Sequence, residues 1–250
     1  MRIWGKSDIG KVRGENQDAW RIRDDLPSGH TACVVCDGMG GPAGGRVASG
    51  IAVEEYLSGL EKSLRPEMDP ADIQSASADA VSRANQAIRA AAERNRDYYN
   101  MGTTLVSAIA CREGVVITNI GDSRAYYIAP DGILRVTRDH SLVQNMVDRG
   151  DITPEEARRH PKRNLITRAL GPDEIAKCDG YFVAMKPESY LLLCTDGLTN
   201  MVGDQEILFE ILHNGGPENC LDRFIEIARR RGAPDNVTAV LLEWPDHGGV

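Results

Sequence analysis

The sequence has few aromatic side chains and no long apolar segment. Phe, Trp and Tyr make up 5% of the 250 residues, so Val, Ile, Leu and Ala must fill most of any core. No run approaches the roughly 18 to 20 apolar residues that a membrane-spanning helix needs. The first ten residues, MRIWGKSDIG, also lack the hydrophobic centre of a signal peptide. We therefore expect no membrane association and a cytoplasmic location.

A basic surface is also missing. The formal net charge is −8, whereas proteins that bind nucleic acids normally present a basic face. We therefore expect no nucleic-acid partner. With 42% hydrophobic residues and no repeat, linker or low-complexity tract, the chain can bury a sizeable core. We predict one domain over residues 1–250.

The six cysteines show no spacing typical of a metal or redox site. Only Cys33 and Cys36 form a C-x-x-C pair, and both fall inside an apolar run. Residues three apart in a strand point to opposite faces of the sheet. These two cysteines are therefore predicted to be buried thiols and not a zinc or redox pair.

Hydrophobic periodicity predicts a mixture of helices and strands. Apolar residues recur at helical spacing over 46–60 and 70–96, while about ten short segments rich in β-branched residues have the character of strands. Residues 141–172 lose the strand pattern, which is typical of a flap or lid. Two pairs of helices among this many strands predict a sheet sandwich flanked by helices.

Five aspartates lie at the ends of predicted strands. Asp37, Asp122 and Asp196 follow apolar runs, while Asp18 and Asp235 directly precede strands. A single Asp-Gly after a strand is usually a turn. Several carboxylates meeting at one place would repel one another unless a cation compensated them. Oxygen ligands without His or Cys favour Mg²⁺ or Mn²⁺ over zinc.

If the substrate of this acidic set is a phosphate ester, a cationic residue is also needed nearby to bind the anionic phosphate. Two metal ions about 3.5–4 Å apart can turn a water into a hydroxide that attacks in line. Arg13 lies five residues before Asp18 in the same polar segment. Because its guanidinium can hold two phosphate oxygens at once, Arg13 is the candidate phosphate-binding residue.

Seven short motifs occur in the same order as in a known family, which this sequence therefore resembles. The family is that of the metal-dependent Ser/Thr phosphatases of the protein phosphatase 2C type, and the resemblance is greatest to the bacterial single-domain members. Each motif is weak alone, but the ordered set covers essentially the whole chain. The motifs are RGENQD at 13–18, VVCDGMGG at 34–41, GTT at 102–104, NIGDSRAY at 119–126, TRDHS at 137–141, CTDGL at 194–198 and DNVT at 235–238.

The resemblance implies an α+β fold, a four-layer α-β-β-α sandwich with two central, mostly antiparallel sheets. It also implies a metal centre of two Mn²⁺ or Mg²⁺ ions. Asp37 would bridge the two ions, the Gly38 carbonyl would join one of them, and Asp196 and Asp235 would hold the other. Asp18 would reach a metal through water.

The resemblance further implies a third, more weakly held ion at Asp122 and Asp196, and phosphate binding by Arg13. The implied reaction is hydrolysis of phosphoserine or phosphothreonine in phosphoproteins by the hydroxide that bridges the metals. A bacterial Ser/Thr kinase and its targets would be the partners, and we expect the chain to act as a monomer.

Two positions depart from the family pattern. Met39 stands where many eukaryotic members carry a His proposed as general acid, and a thioether cannot donate a proton. Gln17 stands where many members have Glu. Neither change removes a direct metal ligand, but the source of the proton for the leaving group stays open.

Other interpretations remain at this point. Asp139, His140 and Ser141 form an Asp-His-Ser string, yet the members of a catalytic triad are brought together by the fold and not by adjacency in sequence. We therefore predict a structural role for His140. The basic cluster at 158–163 is equally compatible with a solvated loop and with a substrate-docking edge. A binding module without turnover, or a hydrolase of nucleotides or small phosphoesters, is the alternative function.

Overall fold

The computed structural model describes residues 1–112, 114–213 and 215–244. Within them lie eleven strands that form two sheets. The strands are β1 Arg2–Asp8, β2 Asp18–Arg23, β3 Thr31–Met39, β4 Gly102–Thr103, β5 Leu105–Cys111, β6 Gly114–Ile120, β7 Arg124–Ala129, β8 Gly132–Arg135, β9 Asp179–Ala184, β10 Tyr190–Cys194 and β11 Val237–Glu243.

Seven α-helices and one 3₁₀ turn, Arg96–Tyr98, accompany these strands in the described part of the chain. The helices are α1 Gly41–Ser63, α2 Pro70–Arg94, α3 Leu142–Arg149, α4 Pro154–Arg159, α5 Asp196–Thr199, α6 Asp204–His213 and α7 Pro217–Arg230. Among the described residues, no helix is both long enough and apolar enough to cross a membrane.

Both sheets are antiparallel. One has the strand order β1-β11-β10-β7-β8, and the other has the order β2-β3-β5-β6-β9, with β4 added beside β3. Because β1 pairs with β11 along its whole length, segments from the start and the end of the chain lie side by side. The predicted α+β sandwich with two antiparallel sheets is confirmed.

Three apolar cores separate the four layers. The first lies between α1 and α2 and the outer face of the β3 sheet, and the second lies between α6 and α7 and the outer face of the β10 sheet. The third fills the space between the two sheets. Each sheet is therefore buried on both faces, which explains why several strands are continuous apolar runs instead of alternating ones.

Strand β3 shows how one strand serves two cores. Val34 and Cys36 pack in the helix-side core, while Cys33 and Val35 pack in the core between the sheets. All four side chains are buried, and both cysteines are free thiols. The prediction that Cys33 and Cys36 occupy opposite faces is confirmed.

Several elements differ from those predicted. Helix α1 begins at Gly41 and not at Arg46, β3 continues to Met39, and the short helix α5 was not predicted. The early start of α1 has a tertiary cause, since a Cβ at Gly45 would lie 2.4 Å from Gln17 Oε1. Close packing against the Asp18 segment thus requires a residue with poor intrinsic helix propensity.

Two glycines of α1 give a matched test of helix packing. A Cβ at Gly59 would lie 2.9 Å from Ala80 Cβ on α2, whereas a Cβ at Gly50 would meet nothing within 4 Å. We expect Gly50→Ala to raise the free energy of unfolding by about 0.5–1 kcal/mol. Gly59→Ala should lower it by about 1–3 kcal/mol, since it overpacks the α1–α2 interface. Urea denaturation measures both, and equal gains would contradict the close approach of the helices.

Candidate active site

The register of β2 and β3 brings two predicted site residues side by side. Asp18, the first residue of β2, is the pairing partner of Asp37 near the end of β3. The main chain of Asp37 is also fixed, because its N–H donates to Thr104 Oγ1 at 2.9 Å and its carbonyl accepts from the Thr104 N–H at 2.9 Å. Asp37 therefore lies within β3, which continues to Met39, whereas the sequence placed it at the end of the strand.

The other sheet delivers three acids at one edge. Asp122 precedes β7, Asp196 follows β10 and Asp235 lies just before β11. Because β10 runs antiparallel to both β7 and β11, the end of β10 lies beside the beginnings of its two neighbours. Acids that are far apart in sequence therefore meet at the same edge.

A cavity of ≈ 730 Å³ lies where the edges of the two sheets meet. Asp18 is not among its lining residues, because its Oδ2 accepts from Thr195 Oγ1 at 3.0 Å and Thr238 Oγ1 at 2.6 Å in the neighbouring sheet. The other predicted site residues all line the cavity: Arg13, Asp37, Gly38, Asp122, Asp196 and Asp235.

The glycine after each of two site aspartates permits a close backbone approach. A Cβ at Gly38 would lie 2.1 Å from the Gly45 carbonyl oxygen, and a Cβ at Gly197 would lie 1.8 Å from the Asn236 carbonyl oxygen. No side chain fits at these distances. The repeated Asp-Gly pattern thus reflects tight packing around the site, not two ordinary turns.

Burial of the carboxyl groups strongly changes their acidity. Removal from water, reinforced by neighbouring acids, raises the pKa of Asp37 well above its usual value and that of Asp122 to about 8. Burial likewise raises the pKa of Asp18 to about 7, although hydrogen bonds from two hydroxyls act to lower it. Burial also raises the pKa of Asp196. The cluster therefore disfavours its own full ionisation unless positive charge is supplied.

Among the site aspartates in the described part of the chain, two buried carboxylate oxygens have no hydrogen-bond partner, Asp18 Oδ1 and Asp196 Oδ1. An unpaired buried oxygen is costly in a charged group. A hard divalent cation with oxygen ligands would compensate it, so the donor set fits Mg²⁺ or Mn²⁺. Among the described residues, no group of three or more His, Cys, Asp or Glu side chains is arranged so that it could hold one metal ion.

Arg13, the predicted phosphate-binding residue, forms a hydrogen bond with Asp235, a predicted metal ligand. Arg13 Nη2 donates to Asp235 Oδ2 at 2.7 Å, and this hydrogen bond raises the pKa of Arg13. The negative fields of Asp37 and Asp196 also favour the charged guanidinium. Arg13 therefore supplies the cavity with positive charge, and its side chain remains about half exposed.

Asn236 was not predicted as a site residue, although it lies within the DNVT motif. Its Oδ1 accepts from the Gln17 N–H at 2.8 Å, and its Nδ2 donates to the carbonyls of Ile9 at 2.9 Å and Glu15 at 3.0 Å. These bonds fix the segment that carries Arg13. They join residues more than 200 positions apart, so no local pattern could have shown them.

The flap borders the cavity through Asn164 and Ile166. Met39 also lines it and pairs with Gly102 of β4. Because a thioether has no proton to give, Met39 cannot serve here as a general acid. The other lining acid besides the aspartates is Glu15, which pairs with Arg46 at 2.5 Å.

His140 does not line the cavity, and its contacts explain the Asp-His-Ser string without a triad. The ring is buried; Nδ1 accepts from the Gly121 N–H at 3.1 Å, and Nε2 lies 3.1 Å from Asp179 Oδ2. His140 thus ties the turn before Asp122 to β9. This agrees with the structural role predicted for it.

Comparison with known proteins places this geometry in a family. The sequence profile of protein phosphatase 2C matches residues 10–241. A Serine/threonine phosphatase stp of Listeria welshimeri is 36% identical over 241 residues, which cover 95% of this chain and 94% of that protein. The Serine/threonine protein phosphatase PstP of Mycobacterium tuberculosis is 38% identical over 99% of this chain, but the match spans only 46% of its length.

Solved structures agree with the sequence relatives. The crystal structure of serine/threonine phosphatase Stp1 from Staphylococcus aureus superposes with a TM-score of 0.91 at 35% identity, covering 98% of this chain and 95% of that one. The M. tuberculosis PstP structure superposes with a TM-score of 0.86 at 34% identity, covering 98% and 99% of the two chains. Sequence profile, relatives and fold agree, and the chain belongs to the protein phosphatase 2C family of serine/threonine phosphatases.

Proposed function

We propose that this protein hydrolyses phosphoserine and phosphothreonine in phosphoproteins with the help of Mn²⁺ or Mg²⁺, and that it opposes a Ser/Thr kinase. Two ions would occupy the main site and a third would lie near Asp122. The six free cysteines suit a reducing compartment such as the cytoplasm. We further propose that the chain acts as a monomer.

The observation that carries this proposal is the set of buried acids with unpaired oxygens. Burial raises the pKa of Asp37 and Asp196, so the charged forms need compensation that the described protein groups supply only in part. Asp37, Asp196, Asp235 and the Gly38 carbonyl would hold the ions of the main site. When bound, such ions supply a reactive nucleophile from water at neutral pH.

The protein's own residues bind and orient the phosphate. Arg13, released from Asp235, would hold two phosphate oxygens through its planar guanidinium. Asn236 keeps the Arg13 segment in place through its three hydrogen bonds. Asp18 keeps the two sheets in register through the hydroxyls of Thr195 and Thr238. Positioning of this kind reduces the entropy that the substrate must lose in reaching the transition state.

The metal requirement is tested with a phosphothreonine peptide. We expect phosphate release that needs Mn²⁺ or Mg²⁺ and that EDTA stops, because the acids cannot form the site alone. Asp37→Asn should lower kcat/KM by at least about 100-fold, the size expected when a group that stabilises the transition state is lost. Asp24→Asn, an exposed acid outside the cavity, is the matched control. Full activity of Asp37→Asn, or activity in EDTA, would refute the metal mechanism.

The role of Arg13 is tested by separating substrate binding from metal binding. We expect Arg13→Ala to raise KM and to lower kcat/KM by at least about tenfold, since a bidentate charge-assisted contact to the phosphate is lost. Mn²⁺ binding measured by calorimetry should persist. Arg21→Ala removes an exposed arginine that pairs with Glu54 and is the control. Loss of Mn²⁺ binding in Arg13→Ala would instead assign the arginine a structural role.

Stability should depend on pH and metal together. A carboxyl whose pKa is raised in the folded state holds its proton more tightly there than in the unfolded chain. The stability that this group contributes is therefore fully present below about pH 4 and is lost as pH rises through its folded-state pKa. For Asp18 and Asp122 the loss extends to about pH 7–8. We expect the free energy of unfolding of the metal-free protein to fall between pH 5 and 8.

Added Mn²⁺ should reverse this loss of stability. At a Mn²⁺ concentration 100 times its Kd, the free energy of unfolding should rise by about 2.7 kcal/mol. Its stabilising effect should be larger at pH 8 than at pH 5, because protonated acids bind the cation poorly. Urea titrations at the two pH values, with and without Mn²⁺, measure both effects. A metal-free protein whose stability does not fall with pH would contradict the proposed charge cluster.

A further inference from the structure

A second cavity adjoins the proposed active site. Its volume is ≈ 740 Å³, and Asp122, Asn164 and Asp196 line both cavities. It lies between the flap, with its helices α3 and α4, and the turn that joins α5 to α6. A substrate chain whose phosphorylated residue enters the first cavity can therefore extend directly into the second.

The second cavity has two apolar walls. Val143 and Val147 of α3 lie on the flap side together with Ala157 of α4, and Met201 and Val202 lie on the opposite side. Such walls allow close contact with the backbone and aliphatic parts of an extended peptide. The shape alone does not select a sequence.

The floor of this cavity is electrically balanced. Arg124 makes several hydrogen bonds to the Asp139 carboxylate, the shortest at 2.7 Å, and Arg135 lies 3.7 Å from the same group. Asp204 accepts a hydrogen bond from the Tyr126 hydroxyl at 3.3 Å. These floor charges are already engaged within the protein and leave little attraction for a ligand.

The flap wall carries unbalanced positive charge. Arg158, Arg159 and Arg163 line the cavity and are exposed, and within the described part of the chain none of them has an acidic partner within 4 Å. The capping box between Thr153 and Glu156 defines the start of the helix that presents the first two. The whole chain has a net charge of −8, so this wall is a local reversal of sign.

We propose that this second cavity, which we call the flap groove, binds acidic side chains next to the phosphorylated residue of the substrate. The proposal rests on the phosphatase function proposed above and defines its substrate class. The complementary ligand is an aspartate or glutamate carboxylate, because three guanidinium groups without a described acidic partner line the groove. Two acids that also line it, Asp122 and Asp196, would be compensated by the metal ions proposed above. A nucleic-acid strand fits poorly, since none of the described residues that line the groove is aromatic and able to stack on a base.

The test compares matched phosphothreonine peptides that differ at one position. Glutamate or glutamine is placed at each of the three positions before and after the phosphothreonine, and kcat/KM is measured in Mn²⁺. We expect glutamate to be preferred on one side of the phosphothreonine, by about two- to fivefold for each arginine it meets, the equivalent of an exposed ion pair. The preference should shrink as salt rises, because these contacts are exposed.

The triple variant Arg158→Gln, Arg159→Gln, Arg163→Gln removes the three charges while keeping side chains that favour a helix. It should bring the glutamate-to-glutamine ratio of kcat/KM close to one. The matched control is Arg149→Gln, an exposed arginine at the end of α3 that does not line the groove. This control should retain the preference of the unchanged protein.

The outcomes separate this inference from the proposed function. If the unchanged protein releases no phosphate from any phosphopeptide, the proposed function fails and the inference fails with it. If it releases phosphate equally from glutamate and glutamine peptides, only the inference fails. If the triple variant lowers kcat/KM equally for both peptides and for a small aryl phosphate, the arginines support the flap and do not read the substrate, which also overturns the inference.

Discussion

Mutual repulsion among buried carboxylates is the constraint on which the site depends. Strand ends from both sheets bring Asp18, Asp37 and Asp196 to one place, and burial there raises their pKa values. Hydroxyls of Thr195 and Thr238 satisfy one Asp18 oxygen, and Arg13 satisfies Asp235, but the balance stays incomplete. A cluster of this kind is unfavourable for folding and favourable for holding cations, and the function follows from that imbalance.

Much of this arrangement could be predicted from local sequence. Apolar runs that end in Asp-Gly indicated both strand ends, and the antiparallel order of the sheets then required the acids to converge. Two pairs of helices among many strands also predicted a sheet sandwich flanked by helices, and the family resemblance implied its four layers. The placement of Cys33 and Cys36 on opposite faces of the sheet followed from strand alternation alone.

What could not be predicted depends on contacts between distant segments. The first turns of α1 include Gly45, which packs closely against the Gln17 side chain and the Gly38 backbone, and this packing outweighs the low helix propensity of glycine. The position of Asp18 outside the cavity lining depends on hydroxyls from the other sheet, and the anchoring by Asn236 spans most of the chain. The flap groove likewise arises only when the flap meets the turn after α5.

The pairing of β1 with β11 has a consequence for when the site forms during synthesis of the protein. The proposed site includes Arg13 and Asp235, which lie 222 positions apart in sequence and form a hydrogen bond. Asp235 directly precedes β11, so the two residues meet only when this last strand joins its sheet. At roughly 5–20 residues per second of synthesis, the nascent chain spends most of its synthesis without a complete site. A chain that lacks β11 therefore lacks part of the proposed site, and pairing of β11 with β1 and β10 completes it.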